Sequence, residues 1–206
     1  MRAFKTHQGV AAALRRANVD TDIIIPLIHT VTQPREALGS FAFEQIRFNS
    51  DGSERDDFIL NQAPFRNASI LVAGENFGCG SSREWAVDAV DGMGIRVMIA
   101  ESFGDIFYNN CIKNGLLPIV LPREPVAALM NEADTVAGRA DFVIDLEAQT
   151  VTPPAGSPIV FNIAPALRTR LLEGKDEIAM TLDHDVEIRA FQSSAVAARP
   201  WLIPEH

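Results

Sequence analysis

Apolar positions are spread without a fixed period over the first sixty residues, then gather into short blocks. Ser69-Ile70-Leu71-Val72-Ala73 is the first, and it predicts a strand over residues 70–73. Glycines and hydroxyls follow, and residues 81–90 predict a helix that Asp91-Gly92-Met93-Gly94 stops. Residues 95–100 form the next strand. Ser102 and Asp105 have the spacing of a capping box and open a helix that runs to Lys113, with Gly115 as its C-terminal glycine. Residues 116–121 form a third strand. Short connections and strands apolar on both faces predict right-handed crossovers and a parallel sheet.

Beyond residue 121 the pattern changes. Residues 124–133, 164–173 and 186–198 predict helices. Residues 141–146 and 159–163 predict strands joined by the Pro/Gly-rich turn at 152–158. Near the N-terminus, Asn18-Val19-Asp20-Thr21-Asp22 reads as a turn, and Ile23-Ile24-Ile25 as a short buried strand or turn base. Residues 27–58 have no clear pattern and read as a functional or mobile loop. The organisation expected is one α/β domain over residues 1–206 with an antiparallel addition, ending in a helix and tail over 186–206.

Composition narrows the class. The chain has 206 residues, 47% of them hydrophobic, enough for a sizeable core. Its net charge of -9 comes without any Lys/Arg cluster, so nucleic acid is not an expected partner. No apolar run reaches the roughly 20 residues of a membrane span, and the first ten residues lack the apolar core of a signal peptide. Cys79 and Cys111 are the two cysteines. They form no C-x-x-C pair, which points to a reducing, cytoplasmic setting and to no metal ligated by this chain.

The chemistry concentrates in Gly78-Cys79-Gly80-Ser81-Ser82-Arg83-Glu84. Between a strand and a helix, this turn should lie at the carboxyl end of the sheet, where open α/β sheets bind ligands. A helix start and a guanidinium together suit a carboxylate or phosphate. The plain alternative is a capping box, with Ser81 accepting from the N–H of Glu84 and Glu84 reaching back. A dinucleotide loop lacks its third glycine, where Arg83 stands, and a P-loop lacks Gly-Lys-Ser/Thr. A serine needs a base or cation beside it to act at neutral pH. His7, His29, His184 and His206 are scattered and read as surface residues.

Four ordered blocks carry a resemblance. Asn18 to Pro26 and Gly74 to Glu84 resemble the two signature blocks of the 3-isopropylmalate dehydratase small-subunit family, a stand-alone version of the aconitase swivel domain. Ala100 to Asn110 with Asn114 to Ile119, and Leu171 to Leu182, resemble its later blocks. The resemblance implies a swivelling β/β/α fold with a mainly parallel sheet, or partly open barrel, flanked by helices. It implies half of a cytoplasmic hydro-lyase of leucine biosynthesis, which isomerises 2- and 3-isopropylmalate and is inactive without its large subunit. The iron–sulfur cluster belongs to that subunit; two distant cysteines do not supply the several thiolates it needs.

By this resemblance Ser81 is the base that takes the proton alpha to the carboxylate, while Ser82 and Arg83 bind the carboxylate of a small dicarboxylic acid. Asp20, Thr21, Asp22, Gly78, Cys79, Gly80 and Glu84 support the motif. Leu27 stands where the family carries Lys or Arg, which leaves Arg35 as the local cation for a carboxylate. Trp85 stands where the family carries His. These departures motivate two alternatives, a methyl- or dimethylmalate dehydratase and a non-catalytic anion-binding module.

Overall fold

The computed structural model describes residues 2–81, 83–199 and 201. The chain opens with β1 (Thr6–Gly9) and β2 (Ala11–Leu14), then α1 (Thr21–Ile24), α2 (Leu27–Thr32) and α3 (Glu44–Arg47). Next come β3 (Ile70–Ala73), α4 (Trp85–Gly92), β4 (Val97–Ala100), α5 (Asp105–Asn114), β5 (Leu117–Val120) and α6 (Arg123–Val136). β6 (Phe142–Asp145), β7 (Thr150–Thr152) and β8 (Ile159–Val160) precede α7 (Pro165–Glu173), α8 (Glu177–Leu182) and α9 (Asp185–Ala198). The contacts group into two compact units, Met1–Gly174 and Lys175–His206. Gly174 makes the break in the left-handed region (φ 66°), closing α7.

The first unit holds two four-stranded sheets. One is parallel, in the order β2-β3-β4-β5, and the other antiparallel, in the order β1-β6-β7-β8. Val10 alone separates β1 from β2, and its carbonyl accepts from Ser69 and Ile70 at 3.1 and 3.2 Å. Alternation divides the parallel strands between two cores. Ala12, Leu14, Leu71, Ala73, Met98 and Ala100 face a layer containing Ile24, Phe43, Phe77 and the buried side of α4. Ala11, Ala13, Ile70, Val72, Val97 and Ile99 face α6 and the inner residues Phe142, Ile144 and Val151 of the antiparallel sheet. A parallel sheet covered on both faces explains the unbroken apolar strands.

Several expectations shift. The helix read from residue 81 starts at Trp85. Ser102 does not cap α5, whose N-cap is Gly104; its hydroxyl accepts from the Asn76 N–H at 2.8 Å instead. β7 and α8 were not expected. β7 is three residues of Thr-Val-Thr, with only Val151 buried, too short to show a period. Residues 27–58 fold into α2, a 3₁₀ turn at Arg35–Phe41, and α3. Leu38, Ala42 and Phe43 from this segment are fully buried. A Cβ on Gly39 would lie 2.4 Å from the Gly92 carbonyl carbon, so only glycine lets the turn lie against α4. Buried Asn61 donates to the Arg47 and Arg55 carbonyls at 2.7 and 2.9 Å and ties down the polar tract between them.

Two histidines are packed and not surface residues. His29 stacks on Phe41 with ring centres 4.1 Å apart and meets Glu44 at 2.8 Å. His7 Nε2 lies 2.7 Å from Ser69 Oγ. His206 lies outside the described residues. Burial lowers the His7 pKa, aided by Arg96 and opposed by Asp141. The unfolded chain therefore binds the proton more readily, so His7 contributes stability above the usual histidine value of about 6.5 and loses it as pH falls further. We expect urea midpoints to drop between about pH 7 and pH 5 more steeply in the native chain than in His7→Gln. Equal slopes would contradict this.

Candidate active site

Three loops leave the carboxyl ends of β2, β3 and β4, and backbone hydrogen bonds lace them together. Asn18 N–H donates to the Glu75 carbonyl at 2.9 Å, Gly78 to Val19 at 2.7 Å, and Thr21 to Cys79 at 2.9 Å. On the other side, Phe77 N–H donates to Ser102 at 3.0 Å, and Gly104 to Phe77 at 2.9 Å. The β3 loop thus extends the sheet by single bridges, Asp20 beside Cys79 and Phe77 beside Phe103. Asn18 and Asn76 both take left-handed backbone (φ 54° and 58°), and the Asn76 amide donates to Asn18 Oδ1 at 2.8 Å. Sequence reasoning passed over this pair. Its only signal was asparagine inside two polar turns, a residue that tolerates that conformation.

The glycines make the close approach possible. Gly78 and Gly80 have φ of 70° and 97°. A Cβ on Gly78 would lie 2.2 Å from Phe107 Cγ, and one on Gly104 would lie 2.5 Å from the Gly78 carbonyl oxygen. Phe77 fills the base beneath them, edge-on to Phe103 and Phe107 at 6.2 and 5.6 Å.

The side chains then fall into place. Asp20 caps α1 by accepting from the Ile23 N–H at 2.7 Å. Thr21, 2% exposed, donates its hydroxyl to the Ser81 carbonyl at 3.2 Å and so holds the motif backbone. Asp22, also on α1, accepts from the Arg83 guanidinium. The Arg83 side chain is 13% exposed and that of Asp22 52%, so the cation is sunk and its partner faces solvent. Ser81 is exposed, and among the described residues nothing bonds its hydroxyl. Ser82 lies outside the described residues.

The capping box does not form. Glu84 occupies the N-cap of α4, but with helical backbone and no capping hydrogen bond. Its carboxylate turns to Asn114 Nδ2 at 3.4 Å and Arg35 at 3.5 Å. Arg35 also donates to Asp88 Oδ2, at 2.8 Å from Nε and 2.7 Å from Nη2. Burial raises the Asp88 pKa despite the guanidinium beside it, while the hydrogen bond to Asp88 raises that of Arg35. Glu84 and Asp88 thus meet the positive end of the α4 dipole. The first helical turn is already supplied with carboxylates, which leaves the guanidinium of Arg83 as the group at the turn able to take a further anion. Arg35 sits on the side of α4, bound to these two carboxylates.

The comparisons agree with the blocks. Residues 1–124 match the family model of the aconitase C-terminal domain. The small subunit of 3-isopropylmalate dehydratase from Gluconacetobacter diazotrophicus is 50% identical over 201 residues, covering 98% of this chain and 97% of that one. The corresponding subunit from Roseobacter denitrificans is 49% identical over 202 residues, 98% of this chain and all of that one. The chain belongs to the 3-isopropylmalate dehydratase small-subunit family. A crystal structure of 3-isopropylmalate dehydratase from Methanocaldococcus jannaschii has the same fold, with a TM-score of 0.64 at 27% identity, covering 91% of this chain and 99% of that one. The parallel sheet flanked by helices is the aconitase-type swivel domain.

The two cysteines of this family member sit in different settings. Cys111 is fully buried on α5, and burial holds its pKa well above the usual thiol range. Cys79 is partly exposed, and burial followed by the charge of Asp20 raises its pKa too. Both are therefore protonated thiols near neutral pH. Among the described residues no three His, Cys, Asp or Glu side chains converge as metal ligands, and no helix is long and apolar enough to cross a membrane. Leu27 begins α2 at 55% exposure and Trp85 begins α4 at 40%.

Proposed function

We propose that this chain is the small subunit of a two-subunit hydro-lyase that interconverts 2- and 3-isopropylmalate in leucine biosynthesis. Loss of a proton from one carbon and of a hydroxyl from its neighbour gives an alkene acid. Their return with the positions exchanged gives the isomer. The observation that carries the reading is the sunken Arg83 paired with Asp22, beside an exposed Ser81 at the carboxyl edge of the parallel sheet.

In this reading Ser81 takes the proton alpha to the carboxylate, and Ser82 and Arg83 hold that carboxylate. A guanidinium has five N–H donors. Asp22 engages Arg83 Nη1, so other donors remain for a substrate oxygen. Asp22 keeps the guanidinium aimed, Thr21 fixes the Ser81 backbone, and Arg35 holds α4 in place through Asp88 and Glu84. An iron–sulfur cluster on the large subunit would supply a Lewis acid for the departing hydroxyl.

Leu27 and Trp85 favour a different substituted malate. Against that alternative, and against a non-catalytic anion-binding module, curated relatives between 46% and 50% identical carry the isopropylmalate name. The test is reconstitution with a cluster-bearing large subunit and a panel of malates. We expect no turnover from this chain alone, and turnover of 3-isopropylmalate above methyl- and dimethylmalate by the pair. The reverse preference, or full activity without the large subunit, would overturn the reading.

A further inference from the structure

Two asparagines at the roots of the site loops hold backbone that most side chains avoid. Asn18 (φ 54°) follows β2 and Asn76 (φ 58°) follows β3, and the Asn76 amide donates to Asn18 Oδ1 at 2.8 Å. Glycine would take either conformation without strain, so the backbone alone does not call for asparagine. What glycine lacks is the amide. Left-handed residues other than glycine persist where their surroundings over-determine them, and they cluster at active sites. Here the surroundings are three loops. The Asn18 N–H donates to the Glu75 carbonyl at 2.9 Å, and the Asn76 N–H donates to Ser102 Oγ at 2.8 Å. Asn76 thus meets the β2 loop with its side chain and the β4 loop with its backbone.

We infer that Asn18 and Asn76 are positioning residues, a latch that sets the β2 loop against the β3 loop and so aims Ser81 and Arg83. The contacts that hold those two residues cross the same gap. Thr21 donates its hydroxyl to the Ser81 carbonyl, and its neighbour Asp22 accepts from Arg83. Asn18 stands just ahead of Thr21, and Asn76 just ahead of the turn at Gly78 and Gly80. Between latch and site, the Gly78 N–H donates to the Val19 carbonyl at 2.7 Å and the Thr21 N–H to that of Cys79 at 2.9 Å. A slip at the latch is passed on through this backbone, with no side chain to absorb it. The inference rests on the reading that Ser81 and Arg83 carry the reaction.

The test uses the full chain at saturating cluster-bearing large subunit. Asn18→Gly and Asn76→Gly keep the left-handed backbone and remove the amide. Each should lower kcat by roughly 10- to 100-fold, the scale of a misplaced catalytic group. KM should stay within about threefold of native, and the denaturation midpoint of the free chain near its native value. The double variant should lose no more than either single one, because the same contact is missing in all three. Asn18→Asp keeps the acceptor and tolerates the left-handed backbone, so it should hold kcat within about threefold of native. A purely structural role would move the midpoint and leave kcat alone. That result, or losses that multiply in the double variant, would overturn the inference. Hydrogen exchange on the free chain reads the latch apart from catalysis. The Gly78 and Thr21 amides should exchange at least about tenfold faster in either glycine variant, with those of β4 unchanged. Native exchange at both amides would also overturn it. A native pair that turns over no malate defeats the proposed function, and the exchange rates then decide the latch by themselves.

Discussion

Ser81→Ala is expected to lower turnover of the reconstituted enzyme by about 10²- to 10⁴-fold, the range lost when a positioned proton-transfer group is removed. The fold should not register the change. Ser81 is exposed, and among the described residues its hydroxyl has no partner, so the denaturation midpoint and the affinity for the large subunit should stay at their native values. The backbone carbonyl that Thr21 holds survives the substitution. The loss should fall on kcat and kcat/KM alike, because the lost interaction belongs to the transition state and not to carboxylate binding. Turnover within about threefold of native would move the base role elsewhere, with Ser82 the first candidate.

Gly104→Ala is expected to damage stability and catalysis together. The backbone at Gly104 (φ -62°) accepts any residue, so the effect is purely one of space. The new methyl would lie 2.5 Å from the Gly78 carbonyl oxygen and 3.0 Å from Cys79 Cα. Both obstacles are backbone, with no rotamer to turn aside, so the β4 loop must draw away from the β3 loop. Overpacking of this kind costs about 1–3 kcal/mol. A misplacement near 1 Å at a catalytic group costs roughly 10²-fold in rate. Chemical denaturation and steady-state kinetics on one preparation check both halves; a native midpoint with native turnover would contradict the close-packed arrangement.

The parallel core was legible because its strands are apolar on both faces. Residues 70–73, 97–100 and 117–120 all lie inside the blocks that periodicity marked. Gly115 marked a helix end for the expected reason, since it takes left-handed backbone, and Gly174 closes α7 in the same way. Ser81-Ser82-Arg83-Glu84 misled because a capping box is a local pattern and the structure here is decided by distant groups. Glu84 is drawn to Arg35 and Asn114, and Gly80 turns the chain left-handed before the helix begins. Ser102 misled likewise, since its hydroxyl serves Asn76 across the loops. The pairing of Asp22 with Arg83 spans 61 positions and leaves no trace in spacing. Residues 27–58 were illegible because their order comes from single buried residues such as Leu38 and from the Gly39–Gly92 approach, neither of which has a period.

The place of β1 has a consequence for biogenesis. This strand leaves the ribosome ahead of the other described strands, yet its partner is β6, with Thr6 opposite Asp145, and the Phe4 N–H donates to the Leu171 carbonyl at 2.8 Å. At typical elongation rates the nascent strand waits on the order of ten seconds for its mate. Until then the polar strand Thr6–Gly9 is without its sheet. Folding of the first unit is thereby deferred until its last strands and α7 emerge and seal the second core.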